Sequence, residues 1–215
     1  MIVVIGGEKG GSGKSCLAQN LAVYLILKGR DVLIVDADNQ CTTTNWARRR
    51  NDNTNVTKIN IVQAVGNINE TLLDLSKKYD DIIVDVHGQD SNSLRTAMAV
   101  ATHMLIPFRP KRRDLETLPT MENLVALAKS FNRGLSVKVV LTQCPTLPTQ
   151  VKRILESKEV CSSFGFEVLN AITTYRNIYD DADEEGLTVL DTKADPKATT
   201  EINDIAFEFF GDIKS

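Results

Sequence analysis

The residues Gly7-Glu8-Lys9-Gly10-Gly11-Ser12-Gly13-Lys14-Ser15 have the composition of an anion cradle. Glycines let a backbone wrap so that its N–H groups point inward. A helix that opens at the end of such a loop adds its positive dipole end. Lys14 supplies a mobile charge for the β and γ phosphates of a nucleotide, and Ser15 offers a hydroxyl to Mg²⁺. The common form of this loop places a glycine where Glu8 stands. The segment instead fits the deviant form K-G-G-x-x-K-[ST], which carries an additional lysine, here Lys9. Residues Lys9, Gly10, Gly11, Ser12, Gly13, Lys14, Ser15 and Cys16 are therefore the candidate phosphate-binding set.

Three carboxylates extend this chemistry. Asp36 and Asp38 follow the apolar run 32–35, and Asp85 closes the run 82–84. Mg²⁺ takes oxygen ligands and keeps several waters, so carboxylates can act through its water shell. Ser15, Asp36 and Asp85 are the candidate metal-site residues.

These groups need elements to position them. Short continuous apolar runs predict buried strands over 2–5, 32–35, 82–86, 104–108, 137–141 and 166–172, and 58–62 reads as an edge or parallel strand. Helices are expected over 15–28, 43–49, 69–78, 91–101, 114–131, 149–163 and 200–210, with Ser91 as an N-cap and 114–131 the longest. Alternation of this kind gives an α/β fold, a mostly parallel sheet covered on both faces by helices. Ligands in such sheets bind at the carboxyl ends of the strands, where the loop and all three aspartates fall. The expected organisation is a single P-loop NTPase domain over 1–215.

Composition narrows the class. The chain has 215 residues, net charge −3 and four scattered cysteines without a CxxC pair. That pattern is expected of reduced thiols in a cytoplasmic protein, not of an iron–sulfur or zinc site. Neither a membrane span nor a signal peptide is expected. A wholly basic nucleic-acid binder is excluded, so any DNA contact must come from local patches. Those available are Arg48-Arg49-Arg50, Lys111-Arg112-Arg113, and Lys152, Arg153 and Lys158.

The deviant loop with Lys9, the Asp36-x-Asp38-x-Gln40 segment and the apolar strand ending in Asp85 together resemble the ParA/MinD group of P-loop ATPases. Thr44-Asn45-Trp46, and Pro107 and Pro110 followed by Asp114, are similar to its small ParA-type partition members. Cys16, Asn39 and Val86-His87-Gly88 depart from the family's usual residues.

The resemblance implies ATP and Mg²⁺ as ligands, with Lys9, Lys14 and Asp38 as the catalytic set. Two monomers would sandwich two ATP molecules in an ATP-dependent homodimer. Lys9 would reach the partner's nucleotide, Lys14 would hold the β and γ phosphates, and Asp38 would position the attacking water. Asp36 and Asp85 would support Mg²⁺. Gln143 and Pro145 would contact adenine. Arg176 is a further candidate for DNA or nucleotide contact. The implied partners are nonspecific DNA, with nucleoid association in the ATP state, and a centromere-binding ParB-type protein. No membrane partner is expected. A MinD-like membrane-cycling ATPase is the alternative, but the polar face of 201–210 is acidic, which anionic lipid repels. A dethiobiotin-synthetase-like ligase shares the loop but needs a substrate pocket that the sequence does not reveal.

Overall fold

Alternation along the strands decides which way each side chain near the site points. The structure, a computed structural model, describes residues 1–86, 88, 91–192 and 194–213. The chain runs β1 (Ile2–Ile5), α1 (Lys14–Leu27), β2 (Val32–Ala37), α2 (Thr42–Asp52), β3 (Asn60–Gln63) and α3 (Asn69–Leu75). It continues through β4 (Asp81–Val86), α4 (Asn92–Met98), β5 (His103–Phe108), α5 (Arg112–Leu115), α6 (Leu118–Phe131) and β6 (Ser136–Cys144). It ends with α7 (Val151–Ser163), β7 (Glu167–Thr174), α8 (Ile178–Glu184), α9 (Val189–Thr192) and α10 (Pro196–Phe210). The seven strands form one sheet in the order β3-β2-β4-β1-β5-β6-β7, every neighbouring pair parallel.

Two cores cover the two faces. Ile2 and Val4, Leu33 and Val35, and Ile82 and Val84 pack with residues of α3, α4, α6 and α7. Val3 and Ile5, Val32 and Ile34, and Ile83 pack with α1, Trp46 and Ala47 of α2, and α10. The period of two then sends Asp36 and Asp85 to the α1 and α2 face. They are direct register partners across β2 and β4. Residues 17–25 of α1 are buried all round, since α9 and α10 close over the helix. A helix buried on every side needs no polar stripe.

The helix expected over 114–131 is two helices, α5 and α6. Pro119 lacks the N–H that a continuous helix needs, and its ring would meet the carbonyl of residue 115. The Thr117 hydroxyl takes up the Asp114 carbonyl at the break, at 2.7 Å. The last helix starts earlier than expected, because Asp195 caps it by accepting from the Lys197 and Ala198 N–H groups. Ser91 caps α4 as expected, accepting from Leu94 N–H. Helices α8 and α9 lie in a stretch with no apolar period, where the residues alone predict no element.

The joint between α2 and the segment before α9 is close. Gly186 has φ +71°, and a Cβ there would stand 2.3 Å from the Arg50 backbone nitrogen. Gly165 has a similar φ, +77°, with nothing within 4 Å of its Cβ position. Gly186→Ala is therefore expected to cost roughly 3 kcal/mol or more, and Gly165→Ala only about 1 kcal/mol. Urea denaturation of the two variants checks this, and equal losses would contradict it.

Candidate functional site

The phosphate loop is held from outside by its carbonyls. Lys14 Nζ donates to the Lys9 carbonyl at 2.8 Å. Arg109 Nη2 reaches the Gly10 carbonyl at 3.5 Å, and Gln143 Nε2 the Gly11 carbonyl at 3.0 Å. The Thr142 hydroxyl donates to the Ser12 carbonyl at 2.8 Å, and Leu17 N–H to the Gly13 carbonyl at 2.9 Å. The carbonyls of residues 9–13 are thus all engaged. No described residue accepts from the N–H groups of residues 10–16. A run of unused backbone donors of this kind can serve an anion.

Gly11 and Gly13, at φ +71° and +85°, give the turn its left-handed steps. Gly88 closes the cradle, since a Cβ there would come within 3.0 Å of both Gly10 N and Lys14 Nζ. Gln143 is a non-glycine residue held at φ +49°. That conformation costs on the order of 1–2 kcal/mol and brings its amide to the loop.

A cleft of about 440 Å³ opens on this cradle. Its phosphate end is lined by loop residues with Asp38, Gln40, Thr42 and Gly88. Thr142 and Gln143, which hold the loop, also line the cleft, together with Tyr175, Arg176, Tyr179 and Asp180. Of the residues named from sequence, Gly10, Gly11, Gly13, Lys14, Ser15, Cys16, Asp38 and Gln143 line it. Ser12 is buried behind the loop, its hydroxyl donating to the Lys9 carbonyl. Lys9 is half-buried, and its ammonium makes no hydrogen bond or ion pair with a described residue. Pro145 does not line the cleft, and the Gln143 amide serves the loop. Val86 and Gly88 flank His87, which lies outside the described residues.

The other two aspartates sit one layer behind. Asp36 is fully buried and accepts from Thr44 N–H and the Thr44 hydroxyl, each at 2.7 Å, and from Asp38 N–H at 3.1 Å. It thereby ties the first turn of α2 to the strand end. Asp85 is 1% exposed and accepts from the Thr43 hydroxyl at 2.6 Å. Burial pushes its carboxyl up to about 6, against hydrogen bonding from Thr43 and Ser15. Lys14 is pulled below its ordinary range by burial, opposed by the charges of Asp85 and Asp38. The loop side of the site is thus a buried cation facing carboxylates, short of negative charge at the cradle itself.

Sequence reading missed Thr43, Thr44, Thr142 and the Arg109–Asp114 pair as parts of the site. Arg109 grips the buried Asp114 through Nε at 2.7 Å and Nη2 at 3.0 Å while reaching Gly10. The only signal was an arginine five residues ahead of an aspartate just past a strand. Arg176 also has a different environment from a free surface arginine: it pairs with Glu201 and Asp195, each at 3.0 Å.

The position of Asp85 has a cost that can be measured. Its folded pKa lies above the unfolded value of 3.8. Its contribution to stability is therefore complete below pH 3.8 and is lost as pH rises through about 6. The loss amounts to roughly 3 kcal/mol. Nucleotide-free Asp85→Asn, in EDTA, is expected to be more stable than the parent at pH 7.5 by an amount of that order, with the gap nearly closed at pH 4. Urea titrations at the two pH values check this; a gap that does not widen with pH would contradict it.

Residues 3–189 match the family model described as the CobQ/CobB/MinD/ParA nucleotide binding domain. Protein ParA of Rhizobium radiobacter is 33% identical over 147 residues, which are 66% of this chain and 64% of that protein. The maintenance of carboxysome distribution protein A of Gloeobacter kilaueensis is 29% identical over 193 residues, 88% of this chain and 83% of that one. Among solved structures, an ATP complex of Cyanothece McdA superposes with TM-score 0.77 at 17% identity, covering 100% of this chain and 97% of that one. MinD of Pyrococcus horikoshii, solved with Mg-ADP, gives TM-score 0.71 at 21% identity, covering 96% and 94%. Identities this low establish the shared fold, and the match of the family model over most of the chain establishes more: the chain belongs to the CobQ/CobB/MinD/ParA nucleotide-binding domain family.

Proposed function

We propose that this protein is a DNA-segregation ATPase that dimerises on loading ATP with Mg²⁺, binds DNA without sequence preference, and hydrolyses ATP when a centromere-binding partner engages it. The observation that carries the nucleotide part is that the carbonyls of residues 9–13 are engaged while the N–H groups of residues 10–16 have no acceptor among the described residues. A triphosphate is the substrate that fits a cradle with this many donors and one buried lysine.

Each residue then has a task. Lys14 exchanges the Lys9 carbonyl for phosphate oxygens. Mg²⁺, when bound, offsets charge on the β and γ oxygens; the Ser15 hydroxyl would hold it, with Asp85 behind Ser15 acting through water. Asp36 has both oxygens engaged already, so its work is to fix the turn that carries Asp38. Asp38 lines the cleft and orients the attacking water. Lys9, whose ammonium makes no hydrogen bond or ion pair with a described residue, is the group that would serve the second nucleotide of a sandwich dimer. Charge stabilisation and positioning are what phosphoryl transfer needs.

The DNA part rests on where the basic clusters fall. Helices α5 and α7 pack together, which brings Lys111, Arg112 and Arg113 beside Lys152 and Arg153. Arg112 and Arg153 line one shallow cleft between them. All five side chains are exposed, although Glu116 pairs with Arg112 and Glu156 with Lys152. The cluster Arg48-Arg49-Arg50 is not a continuous patch, because Arg50 is 1% exposed and paired with Asp191. Lys158 is turned to the Asn170 carbonyl. A lipid-binding role for α10 gains nothing from its apolar face, which carries Ile202, Ile205, Ala206 and Phe209 into the core. Phe207 alone of the three phenylalanines in α10 is well exposed. No described helix is long and apolar enough to cross a membrane.

Gel filtration with a nonhydrolysable ATP analogue is expected to show a dimer, and DNA binding is expected only in that state. Lys14→Ala should abolish nucleotide binding. Asp38→Ala should keep ATP binding and lower turnover about 100-fold or more, the effect of losing roughly 3 kcal/mol of transition-state stabilisation. Joint replacement of Arg112 and Arg153 by alanine should weaken DNA binding and reduce its log–log salt slope by about 1 for each phosphate no longer neutralised. Binding of the ATP form to anionic vesicles but not to DNA would overturn the segregation reading.

A further inference from the structure

Helix α2 is anchored at both ends, to the strand-end aspartates at its start and to the segment 183–191 and Thr57 from Trp46 onward. At its start, Thr43 and Thr44 are fastened to Asp85 and Asp36, directly after Asp38, Gln40 and Thr42, which line the phosphate end. At its other end, Trp46 Nε1 donates to the Leu187 carbonyl at 3.0 Å and Arg49 Nη2 to the Asp183 carbonyl at 3.0 Å. Arg50 makes the densest set. Nη1 and Nη2 grip the Asp191 carboxylate at 2.8 and 3.1 Å, Nε donates to the Thr57 carbonyl at 2.9 Å, and Nη1 reaches the Gly186 carbonyl at 3.4 Å. Asp191 in turn accepts from the Thr188 N–H and hydroxyl. The segment seized in this way follows directly on Tyr179 and Asp180, which also line the cleft.

Stability alone does not account for a buried guanidinium. Apolar residues of similar volume commonly serve a core as well as a buried ion pair does, or better. What the pair supplies here is a fixed joint: several directional bonds and a glycine with no room for a Cβ. Elements joined so closely shift together rather than separately.

We propose that Arg50 is a positioning residue that couples two lining segments of the nucleotide cleft, so that contacts made by the nucleoside at Tyr179 and Asp180 help set the Asp38–Thr44 segment through α2. Arg50 touches neither substrate nor reacting atoms; it acts through the helix. The proposal rests on the nucleotide reading above and adds that the nucleoside half of the ligand contributes to ordering the hydrolytic half.

Hydrogen exchange of the amides of residues 38–44 tests this, comparing a nonhydrolysable ATP analogue with inorganic tripolyphosphate, both saturating and with Mg²⁺. In the parent protein the analogue is expected to slow exchange about fivefold more than tripolyphosphate does. In Arg50→Lys, which keeps the charge but loses the bidentate grip, the two ligands are expected to protect equally. The same variant should lose about tenfold in kcat with KM little changed, a split that general destabilisation does not produce. Asp191→Asn, which leaves Arg50 a neutral acceptor, is the second variant and should behave alike; it decides the matter if Arg50→Lys does not fold. Equal protection by the two ligands in the parent, or full retention of the difference in the folded variant, overturns the coupling. Absence of protection at residues 10–16 by either ligand would overturn the nucleotide reading itself.

Discussion

The site depends on which way five consecutive peptide groups face. A loop with free carbonyls could turn either set of dipoles toward solvent. Here Lys14, Arg109, Gln143, Thr142 and the first turn of α1 take the carbonyls of residues 9–13 in succession. The N–H groups of residues 10–16 then have no acceptor among the described residues. Three of the capping side chains come from the ends of β5 and β6, so the sheet order that places β5 beside β1 and β6 beside β5 is a condition of the cradle. The strained backbone of Gln143 has its explanation in the same bond.

The carboxylates show the other side of such a site. Asp36 and Asp85 are adjacent, buried and on one face, an arrangement unfavourable to both charges. Threonine hydroxyls from α2 offset part of that penalty, and Lys14 lies close enough to help. A cation would relieve the rest. A nucleotide-free protein that holds the raised Asp85 carboxyl ready is expected to be less stable at neutral pH than one with a neutral residue there. Proteins commonly give up stability at functional sites in this way.

Most of the architecture was legible in the residues. Unbroken apolar runs such as 2–5, 32–35 and 82–86 have few alternatives to buried parallel strands, and they located the carboxylate stations correctly. Boundaries failed where one residue outweighed a pattern. Pro119 split the helix over 114–131, and the Asp195–Pro196 start of α10 was overlooked in favour of apolar spacing. Helices α8 and α9 had no period to read, because they are held by hydrogen bonds to α2 as much as by packing.

By itself the sequence determined where the glycine-rich loop, Lys9 and the strand-end aspartates would fall in the fold. These depend on local spacing, which a backbone of known period turns directly into position. Only the tertiary structure decided that Arg50 belongs to the interior and not to a basic surface, that Gln143 serves the loop, and that Arg109 braces Gly10. Each of those outcomes pairs residues far apart in the chain: Arg50 with Asp191, Gln143 with Gly11, Arg109 with Gly10. An arginine's type does not say whether it meets water or a carboxylate; the packing of distant elements does. The loop Lys9–Ser15 was readable as a binding motif, but three of the side chains that engage its carbonyls come from the ends of strands some hundred or more residues further along the chain.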